Sequence, residues 1–357
     1  MNASATIRAS YINASRMSMR PAQMSGMYPI RELDTRPPRQ DKLSNFQPID
    51  YAQHRELCEK ERENTLAPQE VFWSDAEKGY IDNSIYENMS FMDFDEDKSI
   101  RKKIRKMYTI FPYRDPIYLV AVVFAIGSLD LVLNAFFDLL PRTIPSTKFE
   151  TEETIAVPAT VLIGAVLFFA AGIFDTFGAL NADRGTIETS KDADGNMGRT
   201  EYKPALLGTP EWNWIPTRVK FFSLLSTNLA FQAGLIVLFG GIIFMFAGVV
   251  DFPELVDEET STGKLVVFAP QVVHGFLFLI ANGMLAIAEQ DKWYKPKIWS
   301  ADWQGSFLNA IGGFGFMMAG FFLFSEGEVE AAIAAMGGSF AFLIGSLIRW
   351  YVAMEFC

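Results

Sequence analysis

Long apolar runs alternate with short polar segments over the C-terminal two-thirds of the chain. The runs cover roughly residues 117–140, 155–180, 220–250, 266–288, 304–324 and 331–352. About 20 apolar residues are enough for a helix to cross the hydrocarbon core of a bilayer. The pattern therefore predicts an all-α polytopic membrane domain with six transmembrane helices over residues 116–357.

The third run is longer than one crossing needs. We expect it to tilt, or to begin with an interfacial turn near Phe221 and Phe222.

Residues 1–115 have a different character, because they are rich in charge, Pro, Ser and Met and contain few long apolar runs. Such a segment cannot bury enough apolar surface to offset the entropy lost on ordering. We predict a disordered cytoplasmic tail that ends in a basic cluster next to the membrane: Arg101, Lys102, Lys103, Arg105 and Lys106. Binding of anionic lipid headgroups, at about 1 kcal/mol per basic residue, is one interpretation. A stop-transfer flank without lipid specificity is the other.

The first 31 residues contain four Arg and no acidic residue. This composition is typical of a weak organellar presequence, and a disordered cytosolic tail explains the same residues. The two interpretations stay open.

Lys and Arg fall on alternate sides of the six runs. They concentrate at 98–106, 184–218 and 292–297, whereas the segments at 141–154, 251–265 and 325–330 are rich in acids. Cytoplasmic loops carry the excess of basic residues. We therefore expect both termini in the cytoplasm, and the plasma membrane or an endomembrane rather than the mitochondrion as the location.

Composition limits the chemistry. The chain has two Cys and two His, and only His274 lies in an apolar run, so we expect no metal site and no cofactor. We expect no nucleic acid partner. The lipid bilayer is the expected partner, and a homo-oligomer or a protein bound through the N-terminal tail is a further candidate.

Four of the runs carry an internal repeat, in which the third and fourth runs match the fifth and sixth. GGIIFMFAG at 240–248 matches GGFGFMMAG at 312–320, and FLFLIAN at 276–282 matches FAFLIGS at 340–346. The repeat units are about 220–289 and 304–354. FAIGS at 124–128 and GAVLFFAAG at 164–172 are weaker echoes. Small residues at such spacings allow close helix contact. Repeated packing is one explanation, and a transporter-like repeat that encloses a site is the other.

Ionisable residues within membrane spans are expensive and therefore mark candidate sites. Asp130 and Asn134 lie four positions apart in the first run, and His274 enters the fourth run at a similar depth. A contact between Asp130 and His274 would suit a proton relay or a cation site. A single structural hydrogen bond is the alternative interpretation.

A second group lies toward the predicted inner face. Arg349 is at a depth where Asp175 or Glu289 could neutralise it as an ion pair, or it could extend to the lipid headgroups.

Several segments carry a family resemblance. PEWNWIPT, APQVVHGFLF, KWYKPKIWSADWQGSFLNAIGGFGF and GGSFAFLIGSLIRWYVAME resemble a family of fungal integral membrane proteins. The last hairpin is similar to the YrhK-like domain through Gly338, Ser339, Phe342, Gly345, Ser346, Trp350 and Glu355. The resemblance implies a fold and a membrane location, and it brings no catalytic residues.

The sequence favours a structural or organising membrane protein. A small transporter or channel with a polar site at Asp130 and His274 is the alternative. We do not expect an enzyme, because scattered carboxylates and one His within the spans form no recognisable catalytic set.

Overall fold

The structure is a computed structural model that describes residues 3–12, 100–191, 197–252, 255–256, 260–290 and 292–356. For residues 187–191 and 197–202 it describes the backbone alone. One compact unit comprises Met1–Arg16 and Met92–Cys357. All the described residues belong to this unit.

Helices account for most of the described chain. We label them α1 (residues 3–12), α2 (Ile100–Thr109), α3 (Pro116–Thr143), α4 (Val157–Asn181), α5 (Arg218–Thr227), α6 (Leu229–Val250), α7 (Ser261–Ala288), α8 (Ala301–Phe324) and α9 (Glu328–Ala353). A short hairpin of β1 (Thr186–Lys191) and β2 (Met197–Lys203) joins α4 to α5, with Thr186 opposite Lys203.

Six of these helices are long and apolar enough to cross a membrane, namely α3, α4, α6, α7, α8 and α9. Their outward faces are apolar, as at Leu129 and Leu133 of α3 and Phe239 and Phe246 of α6, all of which are exposed. Exposed apolar side chains in such continuous bands are suited to lipid and not to water. The predicted fold class, an all-α polytopic membrane protein with six spans, is confirmed.

The spans form a closed ring in chain order. Each span packs against the next one, and α9 closes the ring against α3. Short loops between α6 and α7 and between α8 and α9 favour this arrangement, because they bring consecutive helices together as antiparallel neighbours. The axis of the ring is therefore lined by one face of each span.

The sequence repeat is a repeat of contacts. An added Cβ at Gly240 would come 2.9 Å from the Phe278 ring, and one at Gly312 would come 2.6 Å from the Phe342 ring. Gly240 and Gly312 are equivalent in the repeat, and so are the two phenylalanines. Each glycine therefore leaves the space that the phenylalanine of the next helix occupies.

The final glycines of the repeat also lie at helix contacts. An added Cβ at Gly248 would come 3.0 Å from the Leu162 backbone, and one at Gly320 would come 2.9 Å from the Val272 backbone. The interpretation of the repeat as a packing device is confirmed for these positions.

The third apolar run is divided in two. Helix α5 has no buried residue, and the chain breaks at Asn228, whose side chain accepts a hydrogen bond from Phe231 N and caps α6. The surplus length of the run therefore lies in α5, outside the span.

The N-terminal ten residues differ from the predicted disordered tail. Residues 3–12 are helical, and Ala3, Ala5 and Ile12 are buried. The prediction fails there because the apolar and small residues of α1 bury their surface against the spans, which local composition does not reveal. The prediction also differs from the structure at the end of the tail, where Ile100–Thr109 form α2. Residues 13–99 of the predicted tail lie outside the described residues.

Candidate functional site

A cavity of about 930 Å³ opens at one end of the ring. We call this end, which carries the loops after α3, α6 and α8, the distal end, and the cavity the vestibule. The opposite end, which carries α1 and the loop after α7, is the proximal end. All six spans contribute to the vestibule wall, so it lies on the axis of the ring.

Acidic side chains outnumber basic ones around the vestibule. The acids are Asp138, Glu152, Glu153, Asp251, Glu326 and Glu328, and the bases are Arg142, Lys148 and Lys264.

Each of the three bases pairs with an acid at the rim. Arg142 bonds Asp138 and Glu328, Lys148 bonds Glu153 at 2.7 Å, and Lys264 bonds Glu326 at 2.8 Å. The bond to Glu153 raises the pKa of Lys148, and the bond from Lys264 lowers the pKa of Glu326. Both rim pairs therefore remain charged over a wide pH range, and the vestibule keeps a net negative charge.

His274 lies at the inner end of the vestibule. Its ring stacks on Phe244 with centroids 4.2 Å apart and an interplanar angle of 15°, and it lies 5.8 Å from Phe316. Nδ1 is 3.1 Å from the Pro270 carbonyl oxygen, four residues earlier. Because a carbonyl only accepts, we assign the proton to Nδ1, which leaves Nε2 as an acceptor.

Six phenylalanines close the axis below the vestibule, one from each span: Phe124, Phe168, Phe244, Phe278, Phe316 and Phe342. We call them the phenylalanine cluster. The ring centroid of Phe168 lies 4.2 to 6.0 Å from those of Phe124, Phe244, Phe278 and Phe342. The Phe342 ring likewise contacts four members. Edge-to-face and tilted pairs at these distances pack densely. Two of the phenylalanine pairs of the clear repeat, Phe244 with Phe316 and Phe278 with Phe342, are members.

Buried polar side chains lie on the proximal side of the cluster. We call Asp175, Asn282, Ser306, Asn309 and Arg349 the proximal polar group, and none is more than 2% exposed. In the described part of the chain, Asn282 Oδ1, both amide atoms of Asn309 and Arg349 Nε have no hydrogen-bond partner. Buried polar atoms are nearly always satisfied by protein or by ordered water. These atoms therefore identify a place suited to water or to a polar solute.

The predicted pair of Asp130 and His274 is not formed. Helix α3 packs between α4 and α9, whereas α7 packs between α6 and α8. The Asp130 carboxyl lies beside Gly164 of α4, 3.1 Å from the position of an added Cβ, and its Oδ2 has no partner among the described residues. Similar depth in the membrane did not imply adjacent helices.

Asn134 has a structural role next to Asp130. Its side chain donates to the Val157 carbonyl and to Thr160 Oγ1, each at 2.9 Å, and so ties α3 to the start of α4. It also borders the vestibule.

The predicted ion pair of Arg349 is only partly present. Arg349 donates to Ser306 Oγ and lies in the electrostatic field of Asp302, Glu289 and Asp175, with no direct ion pair to them among the described residues. Asp175 instead accepts hydrogen bonds from α1. Asp175 is paired with α1 and not with Arg349 because α1 occupies a space that the spans alone would leave vacant.

The basic cluster lies on α2, a helix without buried residues. Lys103 bonds Glu355 at 3.0 Å and lies 5.5 Å from the centre of the Tyr351 ring, which ties α2 to the end of α9. Arg101, Lys102 and Arg105 are exposed, so binding of lipid headgroups stays a prediction for them.

Sequence reasoning missed three features: the axial position of the phenylalanines, the ion pair between Arg8 and Asp115, and the charge of Asp302 near Arg349. The repeat did signal the phenylalanine positions, because Phe244 and Phe316 align within it. No local signal marks Arg8, which lies in an unremarkable stretch.

Comparison with protein-family models, curated proteins and solved structures finds no match to this chain. The resemblance of the last hairpin to the YrhK-like domain therefore stays a prediction.

Proposed function

We propose that this protein is a gated pathway for small solutes, in which the vestibule binds the solute and the phenylalanine cluster is the gate. The observation that carries the proposal is the position of the cluster between the vestibule and the proximal polar group. Polar side chains are expensive within a membrane bundle. Their presence on both sides of one apolar barrier is expected of a passage.

The vestibule favours a small cation that carries N–H groups. Its excess of carboxylates attracts positive charge. Phe244 and Phe316 present aromatic surface at its inner end, and a cation over an aromatic ring gains about 0.5 to 2 kcal/mol. The free acceptor Nε2 of His274 would receive one N–H donor. A protonated small amine meets all three requirements.

The cluster suits a gate because it is apolar and built from separate helices. A hydrophobic constriction excludes water and ions without a covalent barrier, and small movements of its rings reopen it. Phe168 contacts four other members, so its displacement would affect the whole cluster.

The positive-inside pattern of the sequence gives the proposal a direction. With both termini in the cytoplasm, the vestibule faces the opposite side of the membrane. The solute would then bind from that side and pass toward the cytoplasm.

The test uses the full chain in liposomes. We expect uptake of methylammonium that exceeds the uptake of glucose and saturates with concentration. His274→Leu removes the acceptor at the vestibule floor and should raise the half-saturating concentration at least tenfold. Gln232→Leu is the control, because Gln232 lies on the proximal side and donates to the Leu225 carbonyl outside the vestibule.

The outcomes separate the alternatives. Glucose uptake equal to that of methylammonium would reject the cation class. Uptake no faster than in empty liposomes would reject the pathway, and would favour the second candidate, an organising membrane protein. That candidate is supported by the strongly exposed Trp293 and Trp299 at the proximal end, which suit a membrane interface or a partner.

A further inference from the structure

The N-terminal end of α1 lies against a buried carboxylate. Asp175 of α4 accepts hydrogen bonds from Ala3 N at 3.1 Å, from Ser4 N at 2.9 Å and from Ser4 Oγ at 2.9 Å. Asp175 is 0% exposed. The first N–H groups of a helix have no partner within the helix and carry its positive dipole end, so a carboxylate there is well matched.

A second carboxylate holds the next turn of α1. Both terminal nitrogens of Arg8 donate to Asp115, at 2.7 and 3.0 Å, and both residues are buried. Asp115 also accepts from Ile117 N and so caps α3. A bidentate pair of this kind fixes direction as well as position.

A third acid lies between these two contacts. Thr6 bonds Glu289, which follows the last residue of α7. Asp115, Asp175 and Glu289 therefore stand at the proximal ends of α3, α4 and α7. We call these three acids, with the surface between them, the socket.

The apolar side of α1 also fits the socket. Ala3 and Ile7 belong to the core of the spans, and Ala5 packs with Ile117, Ala121 and Ala353.

Two glycines make the close approach possible. An added Cβ at Gly178 would come 2.8 Å from Ser4 Cβ, and one at Gly234 would come 3.1 Å from Ala3 Cβ. Helix α1 therefore touches α3, α4, α6, α7 and α9 and lies across the proximal end of the axis. Residues 13–99 separate it from α2, so sequence proximity does not hold it there.

We infer that the socket is a binding site for a helix N-terminus, and that α1 is its tethered and displaceable ligand, which closes the proximal end of the pathway. The gating part of this inference rests on the proposed function, and the docking part does not. The same carboxylates become solvated when α1 leaves. Buried charge pairs offset most of their own desolvation penalty and little more, so docking through them is reversible.

A disulfide lock tests both parts. In the full chain with Cys58 and Cys357 changed to Ser, Ala3→Cys and Gly234→Cys place two thiols at a Cβ separation near 3.1 Å. Disulfides have Cβ atoms about 3.5 to 4.5 Å apart, so a small adjustment suffices. We expect the bond to form under mild oxidation in liposomes. Ala3→Cys alone is the matched control and should form none within the chain.

Oxidation should reduce methylammonium uptake at least tenfold in the double variant, and reduction should restore it. Asp175→Asn in the same cysteine-free background should weaken docking and increase uptake, whereas Asp183→Asn, at an exposed pair with Lys220, should not.

Failure of the disulfide to form, together with rapid labelling of Cys at position 3, would overturn the docking. A disulfide that forms and leaves uptake unchanged would overturn the gating alone. Absence of uptake in the reduced protein would overturn the proposed function and the gating with it, while the disulfide result would still decide the docking.

Discussion

The backbone N–H and the hydroxyl of Ser4 both donate to Oδ1 of Asp175, which lies 171 positions further along the chain. This contact closes the proximal end of the ring with a segment from outside the spans. At the distal end, the vestibule stays open as far as His274. The proximal end of the axis is thus closed and the distal end is open, and the phenylalanine cluster lies between them.

The buried pair of Arg8 and Asp115 gives the first prediction. Arg8→Met leaves the Asp115 carboxylate buried without its partner, so we expect a loss of about 3 to 5 kcal/mol in the free energy of unfolding. The double variant Arg8→Met with Asp115→Asn should recover part of this loss, because the remaining amide still caps Ile117 N. Lys148→Met breaks an exposed pair and should lose far less, because solvent screens such a pair. Equal losses for Arg8→Met and Lys148→Met, from denaturant unfolding in detergent micelles, would contradict the assignment.

Phe168 of the phenylalanine cluster gives the second prediction. Phe168→Ala removes contacts to four other rings, and we expect it to lower the free energy of unfolding by about 3 to 5 kcal/mol. It should also raise water permeability of proteoliposomes in a stopped-flow light-scattering measurement. Phe239→Ala, at a lipid-exposed position on α6, is the control for both measurements. A Phe168→Ala protein as impermeable as the wild type would show that the cluster is not the barrier.

The glycines of α7 give the third prediction. An added Cβ at Gly275 would come 2.7 Å from Met317 Cα, whereas one at Gly283 would meet nothing within 4 Å. We expect Gly275→Ala to destabilise the bundle by about 1 to 3 kcal/mol through overpacking. Gly283→Ala on the same helix should be neutral or stabilise it by up to about 1 kcal/mol. Thermal melting in nanodiscs measures both, and the same loss for both variants would refute close packing at Gly275.

The pKa of Glu289 gives the fourth prediction. Burial raises this pKa above its ordinary value, and the neighbouring Asp302 raises it further. The native state then holds the proton more tightly than the unfolded chain does. Its contribution to stability is present below the ordinary pKa of Glu and is lost as the pH rises through the raised value. Glu289→Gln should flatten the pH dependence of the melting temperature over this window, and Glu330→Gln, at an exposed site, should leave it unchanged.

The orientation of the ring of spans in the membrane gives the fifth prediction. In a background without Cys58 and Cys357, we expect Thr147→Cys and Ser325→Cys at the distal end to react with an impermeant thiol reagent in intact cells or organelles. Lys295→Cys, at the proximal end, should react only after permeabilisation. All three positions are exposed in the structure, so access in the folded protein is not limiting. Labelling of Lys295→Cys alone would reverse the orientation.

The sequence also predicted which glycines pack against helices, since Gly248 and Gly320 repeat with their neighbours at fixed spacing. Repetition preserves contacts as well as residues, so Gly240 with Phe278 and Gly312 with Phe342 recur as pairs. The two weaker echoes also align Phe124 with Phe342 and Phe168 with Phe244, so the sequence marked all six positions of the cluster. What the repeat could not reveal was that these six rings pack against one another on the axis of the ring.

The candidate site was predicted less well than the fold. Depth along a helix follows from counting residues, and it placed Asp130 and His274 at similar levels. Adjacency around a ring depends on which helix faces pack together, and that choice is made by side-chain shape over the whole bundle. Asp130 consequently lies at α4, and His274 bonds its own helix.

The sequence by itself determined that six helices cross the membrane, because about 20 apolar residues in a row have one stable arrangement in lipid. It also determined where small residues allow close contact. Only the tertiary structure decided that the spans close into a ring and that the vestibule ends on His274. It alone decided that the ten residues of α1 lie against Asp115 and Asp175. These contacts join parts of the chain more than a hundred positions apart, and no local pattern of hydrophobic and polar residues encodes such a pairing.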